Sequence, residues 1–221
     1  MKADIFHAYQ ALLKQTKPQS VSMNLGQDNN SMEAEEGPLS LLQAQVPAIV
    51  KALNRQMKEK SIKTRQGCFA LLSELILVLP GALATHMEII IGGIQFSLGN
   101  NLNNSNMKID TLSFIQSLLT GHHPTVFHPH APILVPAIIN AVSDSFYKIS
   151  SEALVVLQLL VKVLRPLDSS PTTFDFTLYT NNIYQCCFQR LKVCPQPSHT
   201  NTICNKPALL FGSRRKILIR R

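Results

Sequence analysis

The sequence predicts an all-α solenoid of stacked helix pairs, on three observations. Apolar stripes at helical spacing recur at a near-constant interval. A second set of stripes interleaves with the first at almost the same interval. The prolines that stop one helix reappear at the same phase of the next unit.

The first set is the clearest. "VPAIVKAL" from Val46, "IGGIQFSL" from Ile91, "VPAIINAV" from Val135 and "TNNIYQCC" from Thr180 start 45, 44 and 45 residues apart. Val46, Ile49, Val50 and Leu53, and again Val135, Ile138, Ile139 and Val142, fall at i, i+3, i+4 and i+7, one apolar stripe of a helix. Ile91, Ile94 and Leu98 keep that phase but bring Gln95 onto the stripe. In the second set, Phe69, Leu72, Leu75 and Ile76 are followed 43 positions later by Leu112, Ile115, Leu118 and Leu119. A further 42 residues on come Leu154, Leu157, Leu160 and Val161. A period of 42–45 residues matches HEAT or armadillo units (about 40–47) and not ankyrin or tetratricopeptide units (33–34). Two helices per unit, A then B, select the HEAT form, a right-handed superhelix of helix pairs.

In chain order, residues 4–16 place Ile5, Tyr9, Leu12 and Leu13 at i, i+4, i+7 and i+8, a helix B without its helix A. Residues 1–17 are therefore assigned to a truncated preceding repeat. Residues 18–38 are polar, acidic and aperiodic and are expected to be a disordered loop; Glu35 and Glu36 within it are not a carboxylate dyad. Three full repeats are expected at 39–86, 87–130 and 131–177. Their A helices lie near 39–57, 88–99 and 132–142, and their B helices near 61–79, 107–120 and 148–164. A last helix A near 178–191 belongs to a truncated repeat, and 192–221 is expected to be an unstructured basic tail. One helix pair cannot cover its own apolar face, so such units stabilise one another as neighbours in a row. Neither end looks capped, as in a slice of a longer solenoid.

Composition narrows the function. The chain has 221 residues, 45% apolar and only 15% charged, as expected where surfaces are buried on several sides. "FALLSELILVL", interrupted by Glu74, is short of the roughly 18–20 residues of a membrane helix. Asp4 and His7 break any secretory signal. Five cysteines without a CxxC pair suggest a reducing compartment. The net charge of +8 sits at the C-terminus: residues 192–221 hold seven basic residues and no acid, while 1–191 carry 14 basic and 13 acidic residues. A body-wide nucleic-acid groove is not expected.

"GHHPTVFHPH" concentrates His122, His123, His128 and His130 in nine positions. Repeat phase explains them better than a metal. Pro80, Leu83 and His86 map 44 residues on to Pro124, Phe127 and His130, so the segment is the turn between repeats. There a proline stops helix B and an apolar residue tucks under the next unit. No cysteine or acid is near enough in sequence to complete a zinc set. Adjacent Cys186 and Cys187 diverge by about 100° on a helix, so at most one is expected to face the core. No phosphate loop, GxSxG or HExxH occurs; no enzyme, cofactor or small-molecule substrate is expected. "RQMKEKSIKTRQ" offers the candidate binding feature. Arg55, Lys58, Lys60, Lys63 and Arg65 surround the turn from helix A to helix B, with Glu59 opposing them. Such a cluster can steer an acidic partner; an ordinary solvated turn is the plainer alternative.

"LLQAQVPAIVKALNRQMKEKSIKTRQ", "LVLPGAL", "VFHPH", "DSFYKISSEAL" and "LVKVLRPLD" closely resemble an interior stretch of the cullin-associated, neddylation-dissociated proteins, also called TBP-interacting proteins. The resemblance extends from near the start to about Leu191. It implies a long HEAT solenoid that wraps a cullin–RING ligase scaffold lacking its ubiquitin-like modifier, blocks the modification lysine and adaptor site, and promotes substrate-receptor exchange. It also implies no catalytic residue or cofactor, a link to TBP, and residence in cytoplasm and nucleus. Beyond Lys192 the sequence departs from the family, where another helix B would follow. Two other readings stay open: a segment of a karyopherin-type transport receptor, or a fragment without independent function.

Overall fold

The computed structural model describes residues 2–15, 38–99, 104–165 and 174–193, with side chains from Ala8 to Lys192 of these. Eight α-helices account for most of them: α1 (Lys2–Gln15), α2 (Pro38–Met57), α3 (Ile62–Val78), α4 (Met87–Leu98), α5 (Ser105–Gly121), α6 (Ala131–Val142), α7 (Tyr147–Leu164) and α8 (Thr177–Val193). Among the described residues there is no strand. The helix bounds fall within about three residues of those read from periodicity. The acidic stretch with Glu35 and Glu36 and nearly all of the basic tail lie outside the described residues.

Local chemistry starts and stops these helices. Ser61 Oγ accepts the Thr64 N–H at 3.3 Å before α3, and Asn104 Oδ1 accepts the Met107 N–H at 2.9 Å before α5; both occupy otherwise orphaned donors. Asp144 Oδ1 takes the Phe146 N–H at 2.9 Å ahead of α7, and Asp175 Oδ1 the Thr177 N–H at 2.9 Å ahead of α8. After α3, Pro80 and Gly81 end the helix, Gly81 at φ +82°, where a side chain would be strained. Its N–H donates to the Gly121 carbonyl at 3.0 Å, tying one inter-repeat turn to the end of the next helix B.

The helices form two layers. Helices α1, α3, α5 and α7 pack in succession, as do α2, α4, α6 and α8, and the pairs α2–α3, α4–α5 and α6–α7 join the layers. This is a HEAT-type solenoid. The equivalent residues Val46, Ile91 and Val135 are all buried between layers, as are Phe69, Leu72, Leu75 and Ile76 and their equivalents Leu112, Ile115, Leu118 and Leu119. Each large side chain so buried contributes about 1.5–3 kcal/mol. Phe69 and Phe114, in neighbouring B helices, bring their rings to 4.9 Å. Gln95 points outward and the α4 stripe is completed by Ile90 and Ser97.

Polar bonds also cross between repeats. Gln66 donates to Asp110 at 2.5 Å, Lys108 to Asp144 at 2.8 Å and Gln116 to Glu152 at 3.1 Å. Since Gln66, Lys108 and Asp110 lie in the first two turns of B helices and Asp144 just before one, the A-to-B turns share one edge of the stack.

Three expectations need correction. In α1, Leu13 is buried but Tyr9 and Leu12 are exposed, because among the described residues α1 packs mainly on α3; the Ile5 side chain lies outside the described residues. Cys186 and Cys187 are both buried, in the helix that packs on α6, where the Cys186 thiol approaches the Ile139 carbonyl at 3.9 Å. The apolar run Pro124–Val142, 19 residues with mean hydropathy 1.3, does reach the length and hydropathy of a membrane span. It is broken at His130 into a 3-10 segment and α6, and seats Phe127, Leu134, Val135 and Ile138 in the interior of the stack.

Candidate protein-binding surface

The expected basic cluster sits on the A-to-B edge, at the junction of α2 and α3. Arg55, Lys58, Lys60 and Lys63 are exposed there. Arg65 departs from them: one turn into α3 its side chain turns inward and the residue is 1% exposed. Its guanidinium carbon lies 5.7 Å from the centroid of the Phe96 ring at the end of α4, while Phe96 itself is 44% exposed. Nε and Nη1 of Arg65 make no hydrogen bond among the described residues. Burial pushes its pKa down from the ordinary guanidinium value, because a desolvated cation is disfavoured. Helical phase, visible in the sequence, was the signal: Arg65 stands one turn before Phe69 on the core side.

A groove of about 590 Å³ opens on the outer face of the B layer. Gln10 of α1, Lys63, Gly67 and Ala70 of α3, and Asp110 and Ser113 of α5 line it. The small residues of α3 make it concave, and nothing in the periodicity pointed to it. A second groove, of about 360 Å³, lies between Val161 of α7 and Phe176, Ile183 and Tyr184 around α8. Both have the concavity of recognition surfaces, and neither assembles a nucleophile with a base.

The four histidines of the His-rich segment do not converge. His122 is buried, and its Nδ1–H donates to the Leu118 carbonyl at 3.0 Å. Burial pushes its pKa down, and that hydrogen bond offsets the shift only in part. His123 is exposed and bonds Thr125 at 2.9 Å. His128 stacks on Phe174 at 4.5 Å, and His130 precedes α6. Among the described residues no three His, Cys, Asp or Glu side chains come together as a metal site.

At the far end of the edge, Arg190 Nε donates to the Val142 carbonyl at 2.6 Å and Nη2 donates to the Asp144 carbonyl. Burial pushes the Asp144 carboxyl up. The Lys108 hydrogen bond, the Phe146 N–H and the Lys108 and Arg190 charges outweigh burial and hold the pKa below the ordinary value. Burial pushes the Cys186 thiol up, and that of Cys187 to about 11, with Cys186 adding to the latter. Burial thus disfavours the thiolate, the nucleophilic form, at both positions.

Stacked helix pairs with recognition grooves and an edge of exposed cations define a helical-repeat protein of the α-solenoid class. A family model described as CAND1-like, TPR repeats, matches residues 81–196, and the chain belongs to that family. Its own period of 42–45 residues is that of HEAT units despite the description. Cullin-associated NEDD8-dissociated protein 1 of Drosophila melanogaster is 51% identical over 195 residues, 87% of this chain and 15% of the relative. Cullin-associated NEDD8-dissociated protein 2 of Mus musculus is 43% identical over 198 residues, with the same coverage. Cullin-associated NEDD8-dissociated protein 1 of Arabidopsis thaliana is 38% identical over 191 residues, 86% of this chain and 15% of the relative. The chain thus spans about 15% of the length of these relatives.

Proposed function

We propose that the chain is a non-catalytic, cullin-binding segment of a HEAT-type scaffold. The observation that carries this reading is the 51% identity over 195 residues with a protein named for cullin association. The named relatives are cullin-associated and NEDD8-dissociated, so the preferred partner is a cullin–RING scaffold without its ubiquitin-like modifier. In this reading the solenoid takes part in SCF assembly and substrate-receptor exchange, within the ubiquitin conjugation pathway. It needs no cofactor, contacts cullin and its RING subunit, and works in cytoplasm and nucleus. An association with TBP is a further part of the proposal. Recognition rests on shape and on groove and edge contacts, in keeping with side chains that form no acid–base or nucleophilic constellation among the described residues.

The test is a pull-down with the full chain as bait against cullin–RING complexes with and without NEDD8. Selective recovery of the unmodified complex is expected. Equal, background-level recovery of both contradicts the reading.

A second reading, a fragment without independent function, draws on the apolar surface of α8. Leu178, Tyr184, Phe188 and Leu191 are all exposed, and exposed apolar surface of this kind favours association. Concentration-dependent aggregation of the purified chain supports it, and a soluble, cooperatively melting monomer weighs against it.

A further inference from the structure

Arg65 poses a physical problem that the family assignment does not answer. A guanidinium is charged at every accessible pH. Burying it is costly unless anions or acceptors fill its donors. Here the residue is 1% exposed, Nε and Nη1 make no hydrogen bond among the described residues, and the group's close charge-stabilising contact is the face of Phe96 at 5.7 Å. A ring face replaces only part of a carboxylate's attraction. Phe96 is itself 44% exposed, so the lid over the cation is a side chain with room to swing outward.

The surroundings carry one sign of charge. Arg55, Lys58, Lys60 and Lys63 are all exposed around the same turn. Glu59 is the acid among residues 55–65. Elsewhere on this edge Lys108 is engaged by Asp144 and Arg190 by backbone carbonyls, while Lys148 stands exposed at the start of α7. Among the described residues, the α2–α3 corner is thus where several exposed cations gather around a buried cation whose Nε and Nη1 are unfilled.

We propose that this corner docks an acidic protein segment, with Arg55, Lys58, Lys60 and Lys63 steering it in and Arg65 anchoring one carboxylate once the Phe96 ring moves aside. The proposal does not depend on the partner being a cullin. A protein carboxylate is favoured over a nucleic acid, because residues 1–191 carry 14 basic against 13 acidic residues and offer no extended cationic track. The two tiers act at different steps. Rim cations speed encounter and lose their effect in salt, whereas a desolvated anchor governs dissociation.

The experiment uses the full chain and a fluorescein-labelled peptide of alternating Glu and Gly, with the matching Gln–Gly peptide and an oligothymidylate as comparators. Association and dissociation are followed by stopped-flow anisotropy at low and high salt. The Glu peptide binds and the Gln peptide does not. Lys58→Glu/Lys60→Glu/Lys63→Glu slows association at least roughly tenfold and abolishes its salt dependence. Arg65→Met leaves association intact and speeds dissociation by roughly tenfold or more. Phe96→Ala removes the competing ring and slows dissociation roughly two- to fivefold. This last variant decides the inner step if Arg65→Met does not fold. Four results overturn the proposal: no binding of the Glu peptide; full binding by the triple variant, which assigns it to the basic C-terminal residues; tighter binding of the oligonucleotide; or unchanged or faster dissociation in Phe96→Ala.

Discussion

Gly121→Ala tests how closely the B helices are stacked. A Cβ built at Gly121 would stand 2.2 Å from Ile76 Cγ2, whereas carbon atoms in contact normally sit about 3.5–4.0 Å apart. The overlap exceeds 1 Å by that standard. Ile76 is 3% exposed in the last turn of α3, and a β-branched side chain in a helix has one strongly preferred rotamer, so it cannot swing away. The Gly121 carbonyl is also held by the Gly81 N–H at 3.0 Å. Relief therefore requires α5 to move off α3, at an overpacking cost of about 1–3 kcal/mol. The intrinsic helix gain of Ala over Gly, about 1 kcal/mol inside a helix, is smaller at this last helical residue. A double-mutant cycle isolates the contact. Ile76→Ala alone costs about 2–5 kcal/mol, but in that background the added methyl enters vacated space and Gly121→Ala becomes neutral or stabilising. Urea unfolding followed by circular dichroism gives all four stabilities, with a coupling of at least about 1 kcal/mol expected. An unchanged midpoint in Gly121→Ala, or an equal loss in both backgrounds, refutes the close α3–α5 approach.

Gly93→Ala is the milder counterpart: its Cβ meets Met57 Sδ at 2.8 Å, the far end of a flexible side chain, so urea midpoints should register a loss below about 1 kcal/mol. Phe127→Ala empties a fully buried site under the next repeat and should cost about 3–5 kcal/mol in the same assay, while Leu77→Ala, on an exposed position, should cost less than about 0.5 kcal/mol. His122 has a native pKa pushed below the ordinary value, mainly by burial. The unfolded chain then binds more protons in the window between the native pKa and about 6.5, so stability is full above that window and is lost as pH falls through it. His122→Asn should flatten the pH dependence of the urea midpoint in this range; an unaltered slope would assign it to other groups. The Cys187 thiol, at about 11, holds roughly one thiolate per thousand at pH 8, so iodoacetamide should label the Cys186–Cys187 peptide slowly in the native chain and fast in urea, as read by mass spectrometry.

Helix positions were legible in the sequence because each unit repeats one requirement, an apolar stripe that meets its neighbour. Val46, Ile91 and Val135 reported it three times over, and Pro80 and Pro124 marked the turns. The same logic dismissed a metal at the His-rich turn in favour of Leu83 and Phe127 as buried anchors. What escaped was set by neighbours instead of by period. Tyr9 and Leu12 share the phase of Leu13 yet are exposed, since among the described residues α1 packs mainly on α3. Cys186 and Cys187 are both buried where α8 packs on α6, so the angle between adjacent helix positions did not separate them. Arg65 looked like one more surface cation in a basic run; its inward turn follows from helical phase, but the ring that covers it is 31 residues away. The groove across α1, α3 and α5 depends on Gly67 and Ala70 being small where three helices meet, which no single stripe reveals.

The stack itself is tested most directly by pairwise distances between spin labels at Ala70, Ser113 and Val155, equivalent positions on α3, α5 and α7. Neighbouring B helices packed in register predict backbone separations of about 8–10 Å for each adjacent pair and about twice that between Ala70 and Val155. An Ala70–Val155 separation no longer than the adjacent ones, or unequal adjacent separations, would contradict the layered arrangement on which the binding surfaces depend.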